Sequence, residues 1–284
     1  MKEKELYKGL TSVMSCIDYT VSQESYELLL NKEFDMLVTQ PVPSDLENYY
    51  KSEDYISHTN ASKSFIDKIY QKVRKRTLQN KLKLINSFNL SDKKLLDIGS
   101  GTGDFLATCK ADKWNVFGVE PSKEARAISE DKNVKAFSDI SELEENNFDV
   151  ITLWHVLEHV ENLLEYIDIL KSKLKPNGVL LIAVPNYKSF DAKYYKEFWA
   201  AFDVPRHLWH FSQIAISKLV QQKGMEVIKT KPMVFDAYYV SLLSEKYKTG
   251  KSNMLKAFRV GLKSNIKAKS SKEYSSHIYI IRND

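Results

Sequence analysis

The sequence predicts an α/β fold, a doubly wound and mostly parallel sheet with helices on both of its faces. Between residues 93 and 185, short apolar runs alternate with amphipathic helical patterns, and strands separated by helices imply crossover connections and parallel strands. The first apolar run ends in a glycine-rich turn, GSGTG at 99–103, where bare backbone at the start of a helix lets a ligand approach closely. The chain of 284 residues is long enough to bury the core that such a sheet needs.

The predicted elements of the sheet follow one another in a regular order. Strands are predicted at 95–98, 116–119, 134–137, 148–153 and 179–184. Helices are predicted at 122–130, where Ser122 is a good N-cap, and at 163–174, where Pro176 stops the helix. The last elements are a helix at 212–220 and strands at 225–228 and 276–281.

The chain divides after residue 60 into an N-terminal extension and a main domain. In residues 1–60, apolar runs at 26–30 and 34–39 predict a β-hairpin. The main domain, 61–284, is expected to carry a covering helix at 61–90, a lid at 186–211 and a helical insertion at 236–272. The lid is inferred because the connection is long and rich in aromatic side chains, and such connections are usually lids or binding loops.

The composition is that of an ordinary globular protein with a mild positive charge. Hydrophobic residues make up 43% of the chain and charged residues 28%, and the net charge is +5. The two cysteines, Cys16 and Cys109, are too few for a disulfide framework. The N-terminus lacks the apolar core of a signal peptide, and no run approaches the roughly 18 apolar residues of a membrane span. These features predict a cytoplasmic protein in a reducing environment.

Two classes of nucleotide-type ligand compete for the glycine-rich turn. A dinucleotide-binding turn has the pattern G-x-G-x-x-G, in which the third glycine admits close packing of helix on strand. Here the third glycine, Gly103, comes one position early, and Asp104 stands where the pattern needs glycine. An acid at that point fits poorly against a pyrophosphate, so the sequence favours a ligand without phosphate.

The turn resembles the first motif of class I S-adenosylmethionine-dependent methyltransferases, (D/E)-x-G-x-G-x-G, which begins here at Asp97. Four later segments resemble further features of the family in the expected order: Glu120, Asp139-Ile140, 148–160 and 174–182. The resemblance covers residues 93–185 well and 225–281 loosely. It implies a Rossmann-like sheet of seven strands and an enzyme that uses S-adenosyl-L-methionine.

The resemblance also implies which residues contact the cofactor. Glu120 is expected to accept hydrogen bonds from both ribose hydroxyls, because a carboxylate offers two acceptor oxygens. Asp139 is expected to accept a hydrogen bond from the adenine amino group. Structural alternatives stay open: Asp97 can fix the loop by accepting backbone N–H groups, and Asp139 can cap a helix. In related proteins the preceding helix covers the cofactor, which makes Tyr70 or Arg74 a candidate partner of the methionine carboxylate. The expected cofactor contacts are Asp97, Gly99, Ser100, Gly101, Gly103, Phe105, Glu120, Pro121, Asp139, Ile140, Trp154 and His155.

Histidines near the fourth strand and in the aromatic connection are the candidate catalytic residues. Methyl transfer needs positioning of the reactants and, for an oxygen nucleophile, removal of a proton. His155 follows the fourth strand, at the sheet edge where ligands of such folds bind, and is the first candidate base. His207 is the second candidate, and it and His210 can either face the substrate or anchor the lid. Glu158 and His159 are expected to support local structure. No third ligand accompanies His155 and His159, so no metal site is expected.

The sequence says less about the methyl acceptor than about the cofactor. Enzymes that methylate base amines often carry Asn/Asp-Pro-Pro-Tyr/Phe after the fourth strand, but residues 153–156 read LWHV, which argues against adenine or cytosine. The pattern favours O- or C-methylation of a small molecule related to sugars, quinones or lipids, including anionic ones. Basic stretches at 63–83 and 246–272 keep RNA as a less favoured alternative. They also suit contact with a membrane-surface lipid through the apolar positions of 254–266. A non-catalytic cofactor-binding module is the third alternative.

The N-terminal extension resembles a segment of sugar and small-molecule methyltransferases that carries two C-x-x-C pairs. Here Cys16 alone remains, and Val13, Asn31 and Phe34 stand where the other cysteines would be. One thiol cannot hold a structural zinc ion. We therefore expect a metal-free remnant of a zinc ribbon that is packed by apolar residues.

Overall fold

Two sheets and eight α-helices make up the described part of the chain. The computed structural model describes residues 3–50 and 65–283, and for residues 65–72 it describes the backbone alone. The end of the predicted extension, 51–60, and the start of the predicted covering helix, 61–64, lie outside the described residues. The strands are β1 (Thr11–Ile17), β2 (Ser25–Asn31), β3 (Met36–Gln40), β4 (Lys94–Ile98), β5 (Asn115–Val119), β6 (Ala136–Phe137), β7 (Phe148–Trp154), β8 (Leu174–Pro185), β9 (Trp209–His210), β10 (Met225–Pro232) and β11 (Ser276–Asn283). The helices are α1 (Phe65–Asn86), α2 (Asp104–Ala111), α3 (Lys123–Asp131), α4 (Leu163–Lys173), α5 (Phe190–Tyr195), α6 (Gln213–Gln221), α7 (Asp236–Thr249) and α8 (Met254–Ser271).

The larger sheet has seven strands and confirms the predicted fold class. Its order is β10-β11-β8-β7-β4-β5-β6. The strands from β8 to β6 are parallel, whereas β11 is antiparallel to both of its neighbours. The chain builds outward from β4 through β5 to β6 and then returns to place β7 on the other side of β4. Ligands of open parallel sheets bind at the carboxyl ends of the strands where the order reverses in this way.

Apolar runs form this sheet because helices cover both of its faces. Leu95 and Leu96 of β4 are fully buried, and they point to opposite faces because side chains alternate along a strand. Leu95 packs in a cluster with α1 and α2, and Leu96 packs in a cluster with α4 and α6. A strand buried on both sides reads as a continuous apolar run rather than an alternating one. The two cores fix the carboxyl ends of β4, β5 and β7 as one rigid rim.

The predicted bounds agree closely with the observed ones, with three exceptions. The predicted strand 225–228 continues to Pro232 as β10. The predicted strand 134–137 shortens to the two residues of β6, which pairs only with β5 at the edge of the sheet. The predicted strand 179–184 is the end of a longer β8, which begins at Leu174 and shifts register against β7. Ser122 caps α3 as predicted, and Ser212 caps α6, each accepting a hydrogen bond from the backbone N–H three residues ahead.

The N-terminal extension is part of a four-stranded antiparallel sheet. β2 and β3 form the predicted hairpin, and β1, which the sequence analysis did not predict, pairs with β2. On the other side β3 pairs with β9 from the aromatic connection. Thr39 secures this joint, because its N–H donates to the Leu208 carbonyl at 3.0 Å and its hydroxyl donates to the His207 carbonyl at 2.6 Å. The extension and the main domain therefore share a sheet.

Packing and turn residues occupy the positions where similar proteins carry the two C-x-x-C pairs. Cys16 is free and 2% exposed, and burial raises the pKa of its thiol to about 12. The side chain of Asn31 accepts a hydrogen bond from the Phe34 N–H at 3.0 Å and donates to the Leu6 carbonyl at 2.9 Å. An amide therefore holds the hairpin turn at the place of the second pair.

The aromatic connection at 186–211 is packed rather than open. Tyr195, Trp199 and Phe202 are at most 3% exposed. They pack in one cluster with Leu28 of β2. The aromatic composition, interpreted from sequence as the mark of a lid, belongs to a hydrophobic core that joins the extension to the main domain.

The insertion at 236–272 folds as two helices, as predicted. α7 ends at Gly250, which has a φ of 73°, and Asn253 caps α8 by accepting a hydrogen bond from the Lys256 N–H at 3.0 Å. The helices approach closely, since a Cβ added to Gly261 would lie 2.8 Å from the ring of Tyr238. Within 3–50 and 65–283, no helix combines the length and the apolar character that crossing a membrane requires.

Candidate functional site

The glycine-rich turn leaves β4 and is anchored to the end of β5. Gly99, Gly101 and Gly103 have φ values of 66°, 54° and 75°, a conformation that residues with a Cβ avoid. The N–H groups of Gly99 and Ser100 donate to the Val119 carbonyl at 2.7 and 3.0 Å. α2 begins directly after Gly103, so the turn presents backbone N–H groups at a helix start.

Close approaches require glycine at three positions, and a fourth glycine faces open space. A Cβ on Gly103 would lie 2.9 Å from Cβ of Ser129. A Cβ on Gly99 would lie 2.4 Å from Cγ2 of Val156, and a Cβ on Gly118 would lie 2.7 Å from Oγ of Ser100. A Cβ on Gly101 would meet no atom within 4 Å. The turn is therefore packed against β5 and the segment after β7, and a ligand can approach it at Gly101.

Glu120 closes β5 and holds the outer side of the turn. Its Oε2 accepts a hydrogen bond from the Gly101 N–H at 2.8 Å, and its Oε1 accepts one from the Ser122 N–H at 2.9 Å. Both oxygens lie beside the open side of the turn. Glu120 thus has the loop-fixing role that the sequence analysis considered for Asp97.

Asp97 is a buried acid beneath the turn. It is 2% exposed, and it accepts a hydrogen bond from the Thr152 hydroxyl. Burial raises the pKa of Asp97 to about 7, although the Thr152 hydrogen bond and the charge of Lys81 oppose this shift. Burial also lowers the pKa of Lys81 to about 8, against the charges of Asp97 and Asp236. Charged groups from α1, β4 and the start of α7 therefore meet in a poorly hydrated space.

Two aromatic rings line this space beside Lys81. The rings of Phe105 and Trp154 meet edge to face with centroids 5.7 Å apart, and Nζ of Lys81 lies 4.0 Å from a ring centroid of Trp154. The indole N–H of Trp154 is buried and has no hydrogen-bond partner among the described residues. Aromatic faces attract cations, so this wall suits a positively charged ligand.

The residues beyond β6 and at the start of α3 are held by local hydrogen bonds. Oδ1 of Asp139 accepts hydrogen bonds from the Ser141 N–H at 2.8 Å and from the Ser141 hydroxyl, and these bonds lower the pKa of Asp139. Arg126 donates to the Pro121 carbonyl at 2.7 Å, and Ile140 is buried. The cap considered for Asp139 is present, and its contact with adenine stays a prediction.

Asp104, which argued against a pyrophosphate, is neutralised by two cations. It forms ion pairs with Arg74 and Lys132. Burial alone would raise the pKa of Asp104, but these partners outweigh burial and lower it. Arg74, a predicted partner of the methionine carboxylate, is therefore already paired, and the side chain of Tyr70 lies outside the described residues.

His155 lies between two carboxylates just after β7. Its φ of 58° is unusual for a residue with a side chain. This backbone turns the ring so that Nε2 lies 3.1 Å from Oδ2 of Asp236 and Nδ1 lies 3.4 Å from Oε1 of Glu158. Burial lowers the pKa of His155, but the two carboxylates outweigh burial and raise it to about 10. A doubly protonated ring has no lone pair, so this arrangement does not support the predicted role of His155 as a base.

The histidines of the aromatic connection are interior residues with fixed partners. His207 is 8% exposed and donates from Nδ1 to the Ala201 carbonyl at 2.9 Å. His210 is 4% exposed and hydrogen-bonds through Nε2 to the Thr39 hydroxyl at 2.9 Å. Burial lowers the pKa of His210 well below its usual value. These contacts favour the anchoring role for both residues over the catalytic role predicted for His207.

His159 is fixed in the same interior. Its Nδ1 lies 3.1 Å from the Arg206 carbonyl and 3.0 Å from the Tyr50 hydroxyl. Burial and the charge of His207 lower the pKa of His159 to about 4. Glu158, His159 and His207 together offer one ligand atom each within 4.8 Å of one another, a set that can hold a metal ion.

Three residues that shape the site were not predicted from the sequence. Asp236 comes from the insertion and reaches His155 across a large sequence separation, so no local pattern marks it. Lys81 belongs to the basic stretch at 63–83, for which the sequence suggests an RNA or lipid partner, yet its Nζ lies 4.0 Å from a ring centroid of Trp154. Gly118 offered a signal, because a glycine inside a strand often marks a close backbone approach.

Comparison with known proteins identifies the family to which the main domain belongs. The model of a family described as a methyltransferase domain matches residues 70–230, more than half of the 284 residues. This chain belongs to that methyltransferase family. Together with the seven-stranded sheet, the match confirms a class I S-adenosylmethionine-dependent methyltransferase whose methyl donor is S-adenosyl-L-methionine.

Individual relatives of this methyltransferase match parts of it. A ubiquinone biosynthesis O-methyltransferase of Rickettsia canadensis is 27% identical over 169 residues, which are 54% of this chain and 72% of the relative. Its counterpart in Rickettsia bellii is 31% identical over 106 residues, which are 34% of this chain and 44% of the relative, less than half of that protein. The crystal structure of magnesium protoporphyrin IX methyltransferase from Synechocystis PCC 6803 with bound SAH shares the fold, with a TM-score of 0.56 at 15% identity, covering 84% of this chain and 97% of that one.

Proposed function

We propose that this methyltransferase transfers a methyl group to a hydroxyl oxygen of a lipophilic small molecule that it meets at a membrane surface. The observation that carries this proposal is the outward face of α8. The names of the rickettsial relatives, O-methyltransferases of ubiquinone biosynthesis, support an oxygen acceptor of the quinone class.

Helix α8 buries its small side chains and exposes its large ones. The buried positions are Ala257, Val260, Gly261, Ser264 and Ala268. The large apolar side chains on the outside are Met254, Leu255, Phe258, Leu262 and Ile266, which are 40–75% exposed. A helix that only completes a globular core would show the opposite arrangement. A contiguous exposed apolar surface marks a site of interaction.

The charges of α8 favour an anionic lipid surface as the partner. The helix contains Lys256, Arg259, Lys263, Lys267 and Lys269 and no acidic residue. One of them, Lys256, is paired with Glu245 at 3.1 Å. Large apolar side chains beside lysine and arginine are typical of helices that lie in the membrane interface. A second copy of the chain would bring the same positive charges against this face and would be repelled.

The same surface leads to the candidate acceptor site. The exposed side chains Val234, Phe235 and Tyr239 continue the apolar surface at the start of α7. Between them Asp236 points inward, with Oδ2 at 3.1 Å from Nε2 of His155. A molecule that leaves the interface beside α8 therefore has a short path to the end of β7.

We assign the cofactor contacts as follows. Glu120 accepts hydrogen bonds from the ribose hydroxyls. Before the cofactor binds, the hydrogen bonds that Glu120 accepts from the N–H groups of Gly101 and Ser122 keep the turn in shape. Asp97 and the ring of Trp154 attract the positive end of the donor, in the space that Nζ of Lys81 now enters. When bound, S-adenosyl-L-methionine supplies a methyl group on a positively charged sulfur, which makes that methyl group electrophilic.

Asp236 is the residue that we assign to the acceptor. The ring N–H of His155 fixes the carboxylate of Asp236 at the edge of the cleft. This carboxylate accepts the hydroxyl proton as the new C–O bond forms and the sulfur leaves as a neutral thioether. Replacement of Asp236 by asparagine removes the proton acceptor but keeps the shape. We expect Asp236→Asn to reduce kcat by roughly 100-fold or more while S-adenosylhomocysteine binding persists.

Vesicle co-sedimentation tests the membrane part of the proposal. The wild type is mixed with vesicles of phosphatidylcholine alone and with vesicles that contain phosphatidylglycerol, and we expect binding to the second at low salt. Replacing Leu255 and Phe258 together by serine should weaken binding at least roughly tenfold, since burying such a side chain contributes about 1.5–3 kcal/mol. Ile214→Ser is the matched control, because Ile214 is a large apolar side chain that is 51% exposed on another helix, α6.

Each outcome bears on one part of the proposal. Equal vesicle binding by the wild type and the Leu255/Phe258 variant would overturn the membrane assignment. Calorimetry with S-adenosylhomocysteine is independent of vesicles, and no binding there would identify a defect in the cofactor site instead. Retention of tRNA or rRNA on filters at moderate salt that weakens as salt is raised, with no vesicle binding, would favour the RNA alternative.

A further inference from the structure

A second cluster of polar side chains lies behind His155, between the segment after β7 and the aromatic connection. Glu158, His159 and His207 each offer one ligand atom, and these atoms lie within 4.8 Å of one another. Glu158 is 1% exposed, and neither of its carboxylate oxygens has a hydrogen-bond partner among the described residues. Its contact with Nδ1 of His155 is long, at 3.4 Å. The protonated ring of His155 thus compensates Oε1 only weakly, and a further cation or donor beside this buried carboxylate would lower its cost.

Backbone carbonyls set the tautomers of both histidines in a way that suits metal binding. Nδ1 of His159 faces the Arg206 carbonyl at 3.1 Å, and Nδ1 of His207 faces the Ala201 carbonyl at 2.9 Å. A carbonyl only accepts hydrogen bonds, so Nδ1 of His207 carries the proton and its Nε2 keeps a lone pair. The same holds for His159 in the tautomer that donates to the Arg206 carbonyl, with the Tyr50 hydroxyl as a second neighbour of Nδ1 at 3.0 Å. Histidines that bind metals are oriented in this manner, with the second ring nitrogen donating to a carbonyl or carboxylate.

We propose that Glu158, His159 and His207 bind a divalent transition metal ion, with zinc as the best match. Two imidazoles and one carboxylate are a ligand set that zinc adopts, and a fourth tetrahedral position is left for a water molecule or another oxygen. Asp203 can supply that oxygen, since its Oδ2 lies 4.0 Å from Nε2 of His207.

The ion holds together two segments that the sequence places far apart. The Leu208 N–H donates to the Glu158 carbonyl at 2.8 Å, and the indole N–H of Trp209 donates to the Val160 carbonyl at 2.6 Å. These bonds keep the ligands near one another before metal binds. A bound ion then fixes Glu158, which faces His155, so the metal acts as a positioning element for the acceptor site and a clamp for the fold.

Metal analysis of the full chain tests this site. The protein is purified without a polyhistidine tag, stripped with a chelator, incubated with zinc and desalted. We expect about one zinc per chain. Glu158→Gln and His207→Gln should lose most of the zinc, and zinc should raise the Tm of the wild type but not of the variants. His210→Gln is the matched control, because His210 is a buried neighbour whose Nε2 already bonds to Thr39.

Cobalt titration gives a second readout that does not depend on activity. Tetrahedral Co²⁺ with nitrogen and oxygen ligands produces visible absorption bands, which we expect for the wild type and for His210→Gln. Circular dichroism shows whether each variant is folded. A folded wild type that binds neither zinc nor cobalt overturns the proposal. Undiminished binding by folded Glu158→Gln and His207→Gln overturns it as well.

Discussion

Replacing Asp97 by asparagine should stabilise the unliganded protein and lower its affinity for the cofactor. Asp97 is 2% exposed, and burial raises its pKa from 3.8 to about 7. Asparagine has the same shape and keeps an oxygen for the hydroxyl of Thr152, so the substitution removes the charge and little else. The pH dependence of stability then reports the cost of holding that charge.

The sign follows from the two pKa values. Below pH 3.8 the carboxyl group is protonated in both states and contributes nothing. Between pH 3.8 and about 7 the unfolded chain has lost the proton and the folded chain keeps it, so stability falls as the pH rises. Three pKa units at roughly 1.4 kcal/mol each give about 4 kcal/mol by neutral pH. This is an upper bound, because Lys81 loses a nearby counter-charge in the variant.

Urea unfolding of the wild type and of Asp97→Asn at a series of pH values is the assay. We expect equal stability near pH 4 and a more stable variant at about pH 8, by up to about 4 kcal/mol. Calorimetry with S-adenosylhomocysteine should show affinity reduced by roughly tenfold or more, as for the loss of a charged partner. A variant that is less stable than the wild type at pH 8, or that shows the same slope with pH, would refute the reasoning.

Three further predictions concern the turn and the buried ion pairs. Gly99→Ala should abolish cofactor binding and strongly lower the Tm, because its Cβ would lie 2.4 Å from Val156, whereas Gly101→Ala should lower the Tm less, through the strain of its positive φ alone, and should weaken cofactor binding because its Cβ would stand where the ligand approaches; thermal scans and calorimetry compare the two. Glu120→Gln should weaken S-adenosylhomocysteine binding by roughly 10–100-fold, since hydrogen bonds to charged groups contribute about 1.5–3 kcal/mol each, with catalysis at saturating cofactor largely kept. Arg206→Met should lower the free energy of unfolding by about 3–5 kcal/mol, because Arg206 is 1% exposed and its loss leaves the buried carboxylate of Asp18 without its ion pair; an unchanged urea midpoint would contradict this.

Much of the main sheet could be predicted because its information is local. The apolar runs at 95–98 and 148–153 lie between two covered faces, so each is recognisable without knowledge of its neighbours. The cleft residues Asp97, Gly99 and Glu120 follow from strand ends and glycine spacing. The family match confirms the class of enzyme that these residues predicted.

Features that depend on contacts between distant segments could not be predicted. The pairing of β3 with β9 and the meeting of Asp236 with His155 join positions that share no periodic pattern. The sequence leaves His207 between a substrate-facing and an anchoring role, because aromatic content does not distinguish an open connection from a packed one. The burial of Tyr195 and Trp199 shows that the aromatic residues of this connection serve packing.

The strand pairing between β3 and β9 also determines when the N-terminal sheet can be completed during synthesis of the chain. β1, β2 and β3 leave the ribosome early, but Leu37 and Val38 have no partners on their open side until His210 and Trp209 emerge. Until then the edge of β3 exposes unpaired backbone groups, which are a template for association with other chains. The N-terminal sheet thus stays incomplete until β9 has been synthesised, and closing it is among the long-range, slow steps of folding.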